Sequence, residues 1–474
     1  MTSAAAESQY QRGNALRNAG RFAEAEDALR DALRLAPAHR EASYSLAFLL
    51  REQGRTNGAA ATIAAWTQHA RPTRDEVLAA LGFLLESDAH APAHALARDA
   101  RERWPDDARI AERLSEIALA LGEFDAAAAA SRDALDRDPA LSAPWLRLAH
   151  CKRFARSDDA DLQRFEQGWL RRDLAPLAHV GAGFALGKAL DDLGDHARAA
   201  AVLRNANAAA RAQIPWQRAA WRSDIAAQLS VEPLPQVSPR SDFIPVFVVG
   251  MPRSGTTLVA NTLGGFDGVR DRGELNWIGA LHAHLREQNQ LHSLAALAQI
   301  AALVCAQMRR DDAPARCYVD KNPLNFRYLD FIVALFPNAR IVHCRRGLRD
   351  TALSLWMQHF AGADMGFSHD FADIAAVAGD CNELMAHWQK RGVEILDLDY
   401  ESFVAAPDAQ RARLAQFVGV EMNATVAASA ESAEAQAVRT ASVWQVRQPL
   451  HLRSIGRWRD YAPYLPELET LFAS

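Results

Sequence analysis

The sequence predicts an all-α solenoid over residues 1–228, a proline-rich connector over 229–244, and a three-layer α/β domain with a mostly parallel sheet over 245–474. Three observations carry that prediction. A period of 34 residues runs through the first part: Gly20, Gly54, Asp88 and Gly122 fall in one column, Pro37, Arg71, Pro105 and Pro139 in a second, and Ala25, Ala59, Ala93 and Ala127 in a third. The stretch VEPLPQVSPRSDFIP at 231–245 holds four prolines and little helical pattern, which marks a connector. Beyond it, β-branched runs such as VFVVG, ARIVHCRRG and VEILDLDY alternate with helical stretches, the arrangement that builds a parallel sheet covered on both faces.

The repeated half reads as stacked helix pairs. Small residues stand where two helices touch, a glycine turns the chain between them, and a proline ends the second helix, as in YQRGNALRNAGRFAEAEDALRDALRLAP. That is the signature of tetratricopeptide repeats. After Pro139 the register slips, and LGKALDDLGDHARAAAVLRNANAAARAQIP restores the pattern around Gly194 and Ala199. About five helix pairs are expected, the fifth irregular. Two uses of such an array stay open: a concave surface that holds a peptide or protein, and a module that dimerises or orients its neighbour.

Composition narrows the function. A net charge of −5 with 23% charged residues gives no global field to recruit nucleic acid or an anionic membrane, so an anion site has to be local. Five cysteines form no C-x-x-C pair and no zinc spacing, which predicts reduced structural thiols. The N-terminus lacks a basic segment followed by an apolar one, and no apolar run reaches the ~20 residues of a membrane span, so a cytoplasmic protein is expected. Basic residues are nearly all arginine. The lysines are Lys152, Lys188, Lys321 and Lys390 alone, which singles out any lysine that stands in a polar motif.

The first strand of the α/β half runs into VVGMPRSGTTLVANTL, residues 248–263. Gly250 and Gly255 have the spacing of a phosphate-binding loop, but Thr256 stands where a nucleotide-hydrolysing loop carries lysine. Inward backbone N–H groups and the helix N-terminus still make an anion cradle of Arg253, Ser254, Gly255, Thr256 and Thr257. Without the lysine that bridges β- and γ-phosphates, triphosphate hydrolysis is disfavoured. A second motif, VHCRRGLRDTALSLW, ends a strand on Arg346 and sets Ser354 eight residues later in the following helix. An arginine and a hydroxyl so placed can converge on one phosphate at the sheet's carboxyl edge. Spacing to Asp350 and Ser354 favours Arg346 over Arg345.

Together PRSGTT and RGLRDTALS resemble the two signatures of sulfotransferases that use 3′-phosphoadenylyl sulfate, and the chain is similar to the protein-tyrosine branch of that family. The resemblance covers residues 245–462. It implies that the loop from Pro252 through Thr257 holds the 5′-phosphosulfate and that Arg346 and Ser354 hold the 3′-phosphate. VRDRGELNW is similar to the segment carrying that branch's catalytic glutamate, here Glu274, and YVDKNPLNF to the one carrying its catalytic lysine, here Lys321. LDLDYESF implies an adenosine-contacting Tyr400. TASVWQVRQPLHLRSIGRW implies a catalytic Ser442 and a basic Arg457, in place of the lysine of animal enzymes, which keeps the charge and changes the geometry. Bacterial sulfotransferases with an N-terminal repeat array are a known arrangement, with which the first half agrees.

The chemistry so implied is sulfuryl transfer from 3′-phosphoadenylyl sulfate to an acceptor hydroxyl, tyrosine of a peptide or protein, leaving 3′-phosphoadenosine 5′-phosphate and needing no metal. Positioning and electrostatic stabilisation suit an in-line attack of this kind. A phenol with a pKa of about 10 needs a base, the role of Glu274. The same chemistry on a small molecule, glycan or lipid is the alternative. A repeat scaffold with a nucleotide-sensing domain and a nucleotide kinase or NTPase are the others, against which stand the retained Glu274 and Lys321 and the missing loop lysine respectively. The partners expected are an acceptor peptide or protein engaged by the repeats, or a second copy of the chain, with neither nucleic acid nor membrane. His282 and His284, two apart on a helix, face apart and predict no metal site, while His343 and the tryptophans Trp356, Trp388 and Trp444 read as packing.

Overall fold

The computed structural model describes residues 2–230, 232–239, 242–360, 362–421 and 454–470. By contacts the chain forms two compact units, Met1–Arg137 with Ala302–Pro314, and Asp138–Ala301 with Ala315–Ser474.

The first unit is built of α1 (Thr2–Asn18), α2 (Phe22–Leu35), α3 (Arg40–Glu52), α4 (Thr56–Ala70), α5 (Arg74–Glu86), α6 (His90–Arg103), α7 (Ala108–Leu121) and α8 (Phe124–Arg137). The repeat columns have direct physical causes. Ala25, Ala59, Ala93 and Ala127 are all fully buried, because a larger side chain would hold the paired helices apart. Gly20, Gly54 and Gly122 turn the chain with φ of +73°, +74° and +79°, and Asp88, in the same column, takes φ +58°. Aspartate is among the few side chains that enter this region readily. Residues 302–314 dock on these turns: Gln307 donates to the Arg51 carbonyl at 2.5 Å, Arg310 pairs with Asp88 at 2.6 Å, and Asp311 accepts from the Asn57 amide at 2.6 Å.

The second unit opens with five helices, α9 (Ala143–His150), α10 (Ala160–Leu170), α11 (Pro176–Asp192), α12 (His196–Gln213) and α13 (Arg218–Ser230). The slip in register after Pro139 corresponds to the short α9 and to α10, after which α11 and α12 restore a hairpin with Gly194 at φ +77° and Ala199 fully buried. Then follow β1 (Ile244–Gly250), α14 (Thr256–Gly264), β2 (Val269–Asp271), α15 (Trp277–Glu287), α16 (Leu294–Arg309), β3 (Cys317–Asp320), α17 (Leu329–Leu335), β4 (Arg340–Arg345), α18 (Leu348–Trp356), α19 (Phe371–Lys390), β5 (Ile395–Asp399), α20 (Tyr400–Ala405) and α21 (Pro407–Val418). Two short helices, α22 (Trp458–Tyr461) and α23 (Glu467–Thr470), come last among the described residues.

All five strands are parallel, in the order β2-β3-β1-β4-β5. Strand β1 is apolar along its length because both its faces are covered. Val246 and Val248 enter a cluster with Val259, Leu263, Phe403 and Leu414, while Phe247 on the opposite face packs its ring against Phe336 at 6.1 Å. Strands β2 and β3 have three and four residues, too short for any run to show in the sequence; β3 is held in the sheet by pairing on β1, and β2 by pairing on β3. The described residues 232–239 of the proline-rich stretch form no helix or strand and are tied down: Leu234 is buried and the Val237 amide donates to the Ala334 carbonyl at 2.9 Å.

Helices α12 and α13 share buried polar contacts with the α/β layers. Trp221 donates its indole N–H to Asp380 at 2.8 Å, and Arg218 reaches Asp373 at 2.7 Å. Asn207 donates to the Trp356 carbonyl at 2.9 Å and meets His369 at 2.8 Å. All five cysteines are buried, and none is in a disulfide among the described residues. Among the described residues no helix is long and apolar enough to cross a membrane.

Candidate active site

Parallel strands deliver their carboxyl ends to one edge of the sheet, where helix N-termini and loops converge. Read across the sheet order, that edge carries Glu274 beyond β2, Lys321 directly after β3, the loop 251–255 after β1, Arg346 after β4 and Tyr400 after β5. The segments singled out in the sequence, scattered over more than a hundred residues, lie side by side.

The loop after β1 is held by two glycines. Gly250 has φ +136°, and a Cβ there would sit 2.4 Å from the Cys344 carbonyl oxygen on the neighbouring strand. Gly255 has φ +98°, and its Cβ would meet the Tyr400 ring at 2.8 Å. Between them Arg253 adopts φ +71°, a conformation uncommon for a side chain of its size and a mark of functional loops. Pro252, Ser254 and Thr256 are buried and Thr257 is partly so. Thr256 opens α14, so the first-turn amides of that helix and its partial positive charge face the loop. The Ser254 hydroxyl is buried and has no hydrogen-bond partner among the described residues, which fits a loop shaped to receive an acceptor-rich group.

Arg253 donates Nε to the Ser354 hydroxyl at 3.0 Å, and Arg346 donates Nη1 to the Arg253 carbonyl at 3.1 Å and Nη2 to the Ser454 carbonyl at 2.6 Å. The Arg346 guanidinium lies over the Tyr400 ring at 5.0 Å. Arg345 instead extends toward Asp399 at 3.7 Å and is half exposed. Burial together with the charges of Arg346 and Arg457 pushes the Arg253 guanidinium down to about 10, and burial lowers Arg346 as well. Three arginines in mutual repulsion around a phosphate-type loop make this a candidate anion site.

At the other end of the edge, Lys321 is 2% exposed and its ammonium pairs with Oε1 of Glu274. Glu274 stands outside α15, which begins three residues later with Asn276 at its N-cap. Asp320 positions this pair. Its carboxyl takes the Leu275 amide at 3.1 Å and the Asn325 amide side chain at 3.0 Å, while the Lys321 amide donates to the Gly273 carbonyl at 2.8 Å. Burial pushes Asp320 up to about 8, with Glu274 adding to the rise. Nothing in an isolated aspartate of YVDKNP signals this role; only the fold buries it.

Arg457 stands at the start of α22 and pairs with Asp191. Asp350, in the first turn of α18, accepts from the Gly456 amide at 2.6 Å and the Trp458 amide at 3.0 Å, so the segment bearing Arg457 is anchored beside Arg346 and Ser354. Ser442 lies outside the described residues, as does Trp444. His343 is a core residue, bonded to Asp397 at 2.7 Å, and Trp356 and Trp388 are buried. His282 packs edge-on against Phe331, and no group of three or more metal-type side chains occurs among the described residues.

Residues 245–424 match the model of the sulfotransferase family, and residues 10–74 and 87–142 match that of the tetratricopeptide repeat. An uncharacterised protein of Aquifex aeolicus is 26% identical over 530 aligned residues, covering 97% of this chain and 68% of its own. Among solved structures, the sulfotransferase STF9 of Mycobacterium avium is 14% identical, spans 68% of this chain and 97% of its own, and has a TM-score of 0.31. STF1 of Mycobacterium tuberculosis H37Rv is 16% identical over 66% and 93%, with a TM-score of 0.29. The chain combines tetratricopeptide repeats with a domain of the sulfotransferase family.

Proposed function

We propose that the protein transfers a sulfuryl group from 3′-phosphoadenylyl sulfate to an acceptor hydroxyl, and that the acceptor is a tyrosine of a peptide or protein. The observation that carries the reading is the buried Lys321 paired with Glu274 on the same sheet edge as the Arg253, Arg346 and Ser354 cluster. A cation and a carboxylate poised beside an anion loop are what in-line transfer between a phosphate and a hydroxyl requires.

In this reading the loop from Pro252 to Thr257 takes the 5′-phosphosulfate and Arg346 with Ser354 the 3′-phosphate. Tyr400, under the Arg346 guanidinium, takes the adenosine, and Arg457 adds charge on the side of the 5′-phosphosulfate. Glu274 accepts the proton of the attacking hydroxyl through the oxygen not engaged by Lys321. The acceptor O–S bond forms as the bond from sulfur to the 5′-phosphate oxygen breaks, and the electron pair left on that oxygen is stabilised by Lys321 and the loop amides. Ser442 is assigned to the sulfuryl oxygens on the resemblance alone. The leaving group is a monophosphate held by arginines and amides, so the reaction calls on no metal. The repeat surface presents the peptide or protein to be modified.

The test is incubation with ³⁵S-labelled donor and a cell lysate, followed by separation of protein, glycan, lipid and small-molecule fractions. Label on protein tyrosine, lost in Glu274→Ala and Lys321→Ala, is the expected result. Label confined to another fraction overturns the acceptor, and no label at all overturns the activity.

A further inference from the structure

Arg457 reaches the site from a short C-terminal segment, and a helix far away in sequence holds that segment. Asp191, near the end of α11, pairs one oxygen with Nη2 of Arg457 and accepts the Tyr461 hydroxyl on the other at 2.6 Å. Asp191 is 12% exposed and Tyr461 is fully buried, while the Arg457 side chain keeps 34% of its surface open. Further contacts continue the docking along α12: His196 packs its ring on Tyr461 at 4.9 Å, and Arg204 pairs with Glu467 at 2.7 Å. From the opposite side Asp350 fixes the amides of Gly456 and Trp458. Asp191 is the counter-charge that lets a third arginine approach Arg253 and Arg346, and it raises the Arg457 guanidinium despite burial.

We propose that Asp191 is a positioning residue of the donor site, so that α11 and α12, by sequence the last pair of the repeat array, are a structural part of the sulfotransferase centre. The proposal rests on the donor reading above. The guanidinium has five N–H donors and the pair engages Nη2, which leaves a fork for an anionic oxygen while the arm is held. Preorganised charge of this kind tightens binding because no rearrangement is needed when the anion arrives.

The test uses the full chain with Asp191→Asn, Asp191→Glu and Tyr461→Phe. 3′-Phosphoadenosine 5′-phosphate is the calorimetric probe, and hydrogen exchange over 454–470 is followed in the free protein. Asp191→Asn is expected to weaken the probe's Kd and raise the donor KM about tenfold, the loss of one charge-assisted contact, with kcat at saturating donor retained. Asp191→Glu recovers part of the affinity. Tyr461→Phe, which keeps the ion pair, costs about two- to fourfold and supplies the answer if Asp191→Asn does not fold. Exchange over 454–470 speeds up in the variants. A lowered Tm with unchanged Kd makes Asp191 structural only and overturns the proposal, as does unchanged exchange. A wild-type chain that fails to bind the probe overturns the donor reading instead, while the exchange data still decide whether Asp191 holds the segment.

Discussion

Replacing Gly255 by alanine separates backbone strain from site geometry. At φ +98° an alanine pays roughly 1–2 kcal/mol for a left-handed conformation. Its Cβ would also lie 2.8 Å from Cδ2 of Tyr400, so the ring has to leave its rotamer at a further cost of about 0.5–1.5 kcal/mol. The sum is about 1.5–3.5 kcal/mol, or a fall in Tm of about 3–7 °C at roughly 2 °C per kcal/mol for a large unit. Moving Tyr400 also loosens its stacking under Arg346, 5.0 Å away, a contact of about 1–2 kcal/mol when desolvated. Affinity for 3′-phosphoadenosine 5′-phosphate is therefore expected to drop about 5- to 30-fold. Gly194→Ala is the matched control: φ is +77° and a Cβ there meets nothing within 4 Å, so it carries strain without contact. It should lower Tm by about 2–4 °C and leave the affinity unchanged. Calorimetric unfolding and titration of both variants decide the matter. Equal affinity in Gly255→Ala and wild type, or lost affinity in Gly194→Ala, would refute the reasoning.

Other perturbations are expected to act as follows. Lys321→Ala and Glu274→Gln should each lower kcat by about 100- to 1000-fold in single-turnover transfer with less than about threefold change in Kd for 3′-phosphoadenosine 5′-phosphate. Asp320, pushed up to about 8 by burial against 3.8 in the open chain, is protonated when folded and ionised when unfolded across that window. Its contribution to stability is full below about pH 4 and is lost as pH rises to 8; Asp320→Asn should flatten the fall of Tm measured between pH 5 and 8. Asp380→Ala strands the buried Trp221 N–H and removes one of the two carboxylates that pair with Arg222, so unfolding should need about 2–3 kcal/mol less in denaturant titrations. Activity measured well below Tm should stay near wild type.

The fold class was legible because its signals are local and periodic. A column of alanines at one spacing has a single geometric cause, the close approach of paired helices, and Ala25, Ala59, Ala93 and Ala127 display it. Strand β1 was legible because it is buried on both faces and so is continuously apolar. Strands β2 and β3 were not, since their three and four residues owe their conformation to pairing partners. In the site the loop could be read from glycine spacing, and Arg346 was favoured over Arg345 by its distance to Asp350 and Ser354. Asp191 and Asp320 stayed invisible for a different reason. Each acts by meeting a group 266 or 45 residues away, Arg457 or the Leu275 amide, and a one-dimensional pattern carries no trace of such a meeting.

The displaced lysine follows from the same sheet. A triphosphate loop places its lysine within the loop because the β- and γ-phosphates run along it. Here Thr256 occupies that position and is buried, and the cation comes from the end of β3, the strand next to β1. From there the Lys321 ammonium enters from the Glu274 side, where an acceptor hydroxyl would meet its base, while Arg253, Arg346 and Arg457 crowd the other side. Charge is thus divided along the edge, with a cluster of arginines on one side and the buried Lys321 with its own carboxylate on the other, a division that suits the proposed holding of phosphates at the first and breaking of a bond at the second. On the proposed function, a lysine in the loop would only add to the arginine cluster, whereas a lysine at the end of β3 gives Glu274 its counter-charge.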